Sequence, residues 1–498
     1  MAGGAAPPNR ENRSMNTNSS PKTSHWNLIV AAMVAGGCLA LSPASASDST
    51  TALINKLIER GILTQDDARE LLEAESFERR AAEEDRYPGL EYEPTLPLET
   101  VDDRIQARKF RVESQDGKNR FGLRGRLMVD AEVANWDDNL SEAANEADPI
   151  PERGTYLRRA RLGAIGVYDN LWEWQLEVDF RDSDVRFANA YLARLFDQGR
   201  LAVGNFKEPF SLESSTSSRR LTFMERATPV DAYRPSRQIG LMYETLVPDW
   251  YFAAGVFGGD GTDRDRDVEE GYSLATRGSF APYMSDDTFT HLGASFNHRV
   301  NATDEGTLER VRLRSREGAR AIDVRLIGRN DLEGVDSYNR YALEAAWGKG
   351  PFSLQGEYLR VDLDLDREQV LDAHGGNATD KSSLTLDGYY VQASYFLTGE
   401  QRNYRPFSGD FGAVRPNSVF GHGGTGAWEV AARYAHADSM EHTRVGRGNK
   451  MDHYTLGLNW YPNQDMVFKL NYMYFDYEGR GGESNGNQVL AARAQFEF

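Results

Sequence analysis

Four arginines recur at a spacing of two in the run RVRLRSR: Arg310, Arg312, Arg314 and Arg316, with Arg320 beyond. Side chains alternate faces along an extended backbone, so these four guanidiniums point the same way. A guanidinium is a rigid fork of N–H donors that grips phosphate or carboxylate through paired hydrogen bonds. Residues 307–329 hold seven arginines against Glu309, Glu317 and Asp323, while the whole chain carries a net charge of −19. Two uses fit such a row. It lines an aqueous funnel that attracts anions, or it is a solvated loop paired with lipopolysaccharide phosphates or nearby acids.

A second basic island spans Gly199–Arg237. Arg219, Arg220, Arg226, Arg234 and Arg237 face Glu213, Glu225 and Asp231, with Lys207 at the entry. The segment begins as a strand and loses alternation after Pro209, as an irregular loop narrowing a pore would. Lys207, Arg219, Arg220 and Arg226 are its candidate anion ligands; for Arg226 the alternative is a structural pairing with Glu225 or Glu208. In LRRAR, Arg159 and Arg161 share a face and are expected in the lumen, whereas Arg158 is expected to face outward above the lipid band. Glu173, Glu177, Asp179, Glu357 and Glu429 fall on polar faces and would offset these cations.

The elements that must position these groups are strands. In Leu171–Arg181, Trp172, Trp174, Leu176, Val178 and Phe180 share one face, and Glu173, Gln175, Glu177, Asp179 and Arg181 share the other. Similar alternation covers Trp428–Asp438, Tyr454–Trp460 and Phe468–Tyr474. Aromatics gather near strand ends, as interface girdles require, so the segments are expected to be apolar outside and polar inside a membrane barrel. Strands are predicted to start near 120, 155, 171, 185, 199, 237, 250, 272, 287, 337, 351, 384, 426, 451, 465 and 487. That is an even set of sixteen, with both ends periplasmic. Short turns alternate with long charged loops, as in bacterial barrels. The exception is 400–425, a long connection where parity asks for a short turn. The chain ends in VLAARAQFEF, an amphipathic strand finishing on Phe498.

Composition bounds the class. Mean hydropathy is −0.60 with 11% aromatic residues. This suits a soluble β-rich protein or an outer-membrane barrel, and it excludes a helical membrane protein, which needs spans of about 20 apolar residues. The one long apolar run, 26–46, follows Lys22 and closes on Ala44-Ser45-Ala46, the pattern of a cleaved secretory signal. Translation from Met15 is an alternative start, and a lipoprotein signal ending at Cys38 an alternative processing route. Residues 47–104 read as a periplasmic helical segment and linker: Leu53, Ile54, Leu57 and Ile58 form a stripe, and Thr64 with Asp67 begins a second helix. Residues 105–498 are the barrel domain.

Other chemistry finds little support. A pI near 5 excludes a general nucleic-acid binder. Gly421–Gly426 lacks the Lys-Ser/Thr of a phosphate loop. Asp263, Asp265 and Asp267 alternate like the start of a calcium loop, but Leu274 stands where the last Glu belongs. The histidines have no metal-ligand spacing and no nucleophile elbow appears. No catalytic residue, metal or cofactor is expected.

The runs GTYLRRARLGAIG, NAYLARL, GNFKEPFSLESSTSSRRLTFMERA and GPFSLQGEY resemble the phosphate-selective porin O and P family over about 105–498. The resemblance implies an all-β, 16-stranded antiparallel transmembrane β-barrel with an inward-folded third loop and a short N-terminal helical segment. It also implies a homotrimer in the Gram-negative outer membrane, in contact with lipid and lipopolysaccharide. Its function would be passive diffusion of phosphate, polyphosphate or other small anions past an arginine ladder. Residues 208–237 contain no lysine, unlike the constriction of the phosphate-specific members. A general or other-solute porin, and a structural protein tethering the envelope through its N-terminal helices, are the alternatives.

Overall fold

The computed structural model describes residues 110–498 apart from 145–149, 182–184, 260–267, 305–306, 316–319, 321–324, 329–331, 375–381, 440–448 and 480. The expected helical segment at 50–86, the Asp263–Asp267 triplet and Arg316 lie outside the described residues.

The barrel strands are β1 (Arg120–Asn135), β2 (Arg153–Tyr168), β3 (Trp172–Asp179), β4 (Arg186–Phe196), β5 (Gly199–Lys207), β6 (Arg237–Thr245), β7 (Trp250–Phe257) and β8 (Tyr272–Phe280). They continue as β9 (Thr288–Val300), β10 (Val335–Lys349), β11 (Phe352–Leu365), β12 (Ser383–Phe396), β13 (Ala427–Asp438), β14 (Lys450–Asn463), β15 (Met466–Gly479) and β16 (Gly482–Glu497). Each pairs antiparallel with its sequence neighbours, and β1 closes the barrel on β16, Arg126 opposite Glu497 and Asn135 opposite Gln488. Closure removes every unpaired sheet edge, which a bilayer does not tolerate. The largest displacement from the expected starts is at β16, which begins at Gly482 rather than near 487. Short helices sit in the long loops: α1 (Leu140–Ala143), α2 (Leu212–Ser215), α3 (Thr228–Tyr233) and α4 (Arg367–His374).

Turn chemistry is local. Between β2 and β3, Asp169 and Asn170 both adopt positive φ, 51° and 55°. Two consecutive left-handed residues make the tight hairpin whose twist matches its strands, and Asp and Asn tolerate that conformation best after glycine.

The outward faces are as predicted. Trp428, Trp460 and Phe468 stack in a row near the short-turn end, the two ring pairs 5.6 and 5.4 Å apart. Tyr434 and Tyr454 pair at 5.0 Å toward the long-loop end. Lys469 and Asn471 are buried on the inner face of β15, while Phe468, Leu470 and Tyr472 are exposed outside.

The inner face is less uniform than alternation suggests. Leu359, Val361 and Leu363 of β11 and Leu384 and Leu386 of β12 point inward and are buried. They belong to one apolar cluster with Val230 and Tyr233 of α3 and with Leu326 and Ile327. Here the expectation of a polar interior is corrected: the inner face of this sector is apolar because folded-in loops cover it, while Arg360, Asp362 and Asp387 lie on its outer face. The 397–426 connection explains the parity exception. Its Tyr404 and Phe411 join Leu212 of α2 and Phe289 of β9 in a second cluster. The segment therefore enters the barrel from the short-turn end and meets the third long loop, 208–236, inside.

Candidate functional site

The third long loop is held by the walls it crosses. Ser211, at φ 62°, is the one non-glycine residue of that loop with positive φ. Its strained backbone is secured on three sides. Its N–H donates to Ser295 Oγ at 3.0 Å, its hydroxyl donates to Glu357 Oε2 at 2.6 Å, and its oxygen accepts from the Ser214 N–H. Glu357 also accepts the N–H groups of Leu212 and Glu213 at 2.9 and 2.8 Å. A carboxylate at a helix start satisfies amides that have no partner within the helix. Glu357 is thus a loop anchor on β11.

At the other end of the loop, Glu225 is a hub. Arg158 donates to it twice, at 2.6 and 2.9 Å, and Arg493 of β16 donates at 2.7 Å. Arg320 lies 3.6 Å away and Arg159 3.8 Å. Asp130 accepts two further bonds from Arg493 at 2.7 Å, the Met224 carbonyl accepts another, and Asp231 takes Arg320 at 2.7 Å. Four arginines thus meet three acids in one buried network. Burial alone would raise the Glu225 carboxyl. The surrounding guanidiniums, Arg158 foremost, outweigh it and hold the group well below the usual carboxylate range. Glu213 lacks such a cage, and burial pushes it up despite Arg433.

Arg158 is where sequence reasoning misplaced a residue. The β1–β2 ladder pairs Met128 with Arg159 and Val129 with Leu157, so Arg158 is the extra residue of a bulge. A bulge shifts alternation by one residue. Arg158 therefore turns inward onto Glu225 instead of outward above the lipid. Arg159 also lies inside, as expected, but is buried against Met128 and Glu225. Arg493 and Glu497 were legible, since both alternate with the exposed Leu490 and Phe496.

A second basic group surrounds Glu177 on β3. Arg124, Arg126 and Arg161 approach its carboxylate at 2.8, 3.1 and 3.2 Å, and Arg161 also binds Asp179 at 2.8 Å. Arg126 reaches the third loop through Ser218 Oγ at 3.0 Å. The loop's own candidates behave differently. Arg219 and Arg220 share Glu497, one on each oxygen. With Thr222, Arg402, Asp465 and Gln495 they line a cleft beside the 397–426 segment. Arg226 donates to the carbonyls of Glu213, Ser214 and Thr216, so it staples the loop to itself. Lys207 likewise donates to the Ser214 carbonyl at 2.5 Å. Both tie the loop backbone, through carbonyls rather than the carboxylates considered for Arg226.

The arginine row in the fifth long loop, 301–334, keeps its alternation. Val311 and Leu313 are buried in the apolar cluster, so Arg310 and Arg312 are exposed and Arg314 is half-buried. Arg310 pairs with Glu333 at 2.7 Å while 65% exposed. Arg320 leaves the row to join Asp231 and Glu225.

A closed barrel with girdled outer faces, crossed inside by a pinned loop and two basic clusters, is the build of an outer-membrane channel. A family model described as phosphate-selective porin O and P matches residues 122–498, and the chain belongs to that family. A Caulobacter vibrioides protein is 30% identical over 397 residues, covering 77% of this chain and 75% of its own. Porin O of Pseudomonas aeruginosa is 29% identical over 429 residues, covering 78% and 90% respectively. Among solved structures, the anion-selective porin from Comamonas acidovorans aligns with a TM-score of 0.46 at 14% identity, over 76% of this chain and all of that one. The protein is a porin of the outer membrane and not an enzyme.

Proposed function

We propose that this porin conducts phosphate or polyphosphate by passive diffusion through an arginine-lined lumen, as a homotrimer in contact with lipid and lipopolysaccharide. The observation that supports this most is the alternation in the fifth loop. Buried Val311 and Leu313 leave Arg310, Arg312 and Arg314 on the opposite face. A basic row of this kind concentrates anions at a mouth and binds them weakly enough for release. The Glu177 cluster, with Arg124, Arg126 and Arg161, supplies a second basic level. Residues 1–46 would be a signal peptide, 47–104 a periplasmic helical segment, and 105–498 the barrel domain.

The test is electrical. In planar bilayers under a KCl gradient, the reversal potential is expected to report anion preference, and millimolar phosphate is expected to block chloride current. Replacing Arg312 and Arg314 by Ala should weaken both. Cation preference in the wild type would overturn the proposal. One observation favours a second reading, a pore of the same fold for another solute. Arg219 and Arg220 share one acid and Arg226 is spent on carbonyls, so these third-loop guanidiniums have much of their donor capacity committed within the protein. Anion preference without phosphate block would select that reading.

A further inference from the structure

The 397–426 connection has two halves of different chemistry. Residues 400–415 carry Glu400, Arg402, Arg405, Asp410 and Arg415, whereas residues 416–428 hold no Asp, Glu, Lys or Arg. The chain as a whole is 27% charged, so a connection lying in water would be expected to carry charge along this stretch too.

The charged half is the one that goes inside. The Tyr404 hydroxyl lies 2.7 Å from His291 Nδ1, and Arg277 of β8 donates to the Gly409 carbonyl at 2.6 Å. Arg402 lies over the Phe411 ring, 4.1 Å from its centre, and donates to the Thr222 hydroxyl of the third long loop. The inner half therefore braces that loop from the short-turn end.

The uncharged half lies outside. Phe420 meets Trp460 edge-on with ring centres 5.1 Å apart, and its N–H donates to the Pro462 carbonyl at 2.9 Å. Trp460 Nε1 donates to the Thr425 carbonyl at 2.9 Å. Gly421 and Gly423, at φ 85° and 86°, fold the tip back, so the Gly424 N–H reaches the Val419 carbonyl at 3.2 Å. Leu397 continues the outward face of β12 after Val391 and Tyr395, and its N–H donates to the Trp428 carbonyl at 2.8 Å. Leu397, Val419 and Phe420 are 59%, 37% and 55% exposed, beside the stacked row of Trp428, Trp460 and Phe468. The two halves are tied at the rim by Glu400, which is buried. It accepts the Asn417 N–H at 2.9 Å and the Thr398 hydroxyl, and Thr398 Oγ1 accepts the Trp428 N–H at 2.9 Å.

We propose that Leu397, Val419 and Phe420 form a foot seated in the phospholipid interface at the short-turn end, and that through Glu400 this foot steadies the inner half of the connection and the third loop it braces. Lipid is the occupant because the patch is continuous with the outer tryptophan row, and tryptophan rows mark the level where hydrocarbon meets headgroups. Apolar side chains left in water at that level would gain free energy by entering the interface. The absence of charge over 416–428 removes the cost of bringing the segment there. The foot goes beyond the reading of an anion pore and is independent of the solute that passes.

The test uses the full-length protein in outer membranes. Benzoylphenylalanine in place of Phe420 is expected, on irradiation, to add the mass of a phospholipid to the chain, as it should in place of the lipid-facing Leu458 of β14. In place of Arg415, in the charged half, it should add none. Covalent multimers from position 420 would assign the patch to a second copy. An unchanged mass there, with adducts at position 458, would assign it to water, and equal adducts from position 415 would deny the contrast between the halves. Each of these overturns the proposal. In planar bilayers Phe420→Ser is expected to raise open-channel current noise several-fold and Phe420→Trp to keep it at the wild-type level, a retained heat shift showing a folded barrel in both. Unchanged noise in folded Phe420→Ser would cut the link to the third loop and equally sink the idea. Reversal potentials separate the two readings: cation preference with the expected lipid adducts and noise removes the anion pore and leaves the foot.

Discussion

Strands β10–β15 and strands β1–β7 close one sheet, but they are dressed for different neighbours on both faces. Outside, the first set changes from apolar to tyrosine to polar residues along each strand, aspartate in β11–β15 and Asn339 in β10, and the second stays apolar to its rim. Inside, the contrast inverts. β11 and β12 present Leu359, Val361, Leu384 and Leu386 to the folded-in loops, while β1–β3 present Arg124, Arg126, Arg161 and Glu177. A period of two says only which residues share a face. What that face meets is written in the residues that interrupt the pattern.

The largest effect is expected where the loop is tied to the charged side. Glu225→Ala would leave Arg158 and Arg493 facing each other without their shared acceptor. Breaking a buried charge network in this way costs about 3–5 kcal/mol. Unfolding by the heat-shift assay should come at lower temperature, and single-channel conductance should become larger and noisier. An unchanged melting temperature and conductance would show that the loop is held elsewhere.

A smaller change is expected from Arg310→Ala with Arg312→Ala. These side chains are exposed, so stability should move by less than about 0.5 kcal/mol. The anion-to-cation permeability ratio should fall several-fold, read from the reversal potential. A ratio that holds would assign selectivity to the Glu177 cluster instead.

The least change concerns pH. The Glu225 carboxyl is depressed, so the native state binds its proton less readily than the unfolded chain. Its contribution is fully present above the ordinary carboxylate value of about 4.3 and is lost as pH falls below that toward its lowered folded value. Between pH 8 and 5 the stability difference between wild type and Glu225→Gln should stay flat, and below about pH 4 it should shrink. A difference that shrinks already between pH 7 and 5 would contradict the cage of guanidiniums.

Sequence alone determined much of this protein. Alternation, turn signals and loop lengths located sixteen strands and separated lipid-facing Phe468 and Leu470 from inward Lys469, because strand geometry converts spacing directly into facing. It also picked out the arginine row, whose spacing survives in the fold. What only the tertiary structure decided is which charges meet. A one-residue bulge turned Arg158 inward, and nothing in LRRAR marks it. Arg226 and Lys207 went to carbonyls, Arg219 and Arg220 to Glu497, and Arg320 to Asp231. Those partners lie up to 278 residues away in the chain. Guanidiniums are satisfied by whatever acceptor closure of the barrel brings within reach, and spacing along one strand does not carry that information.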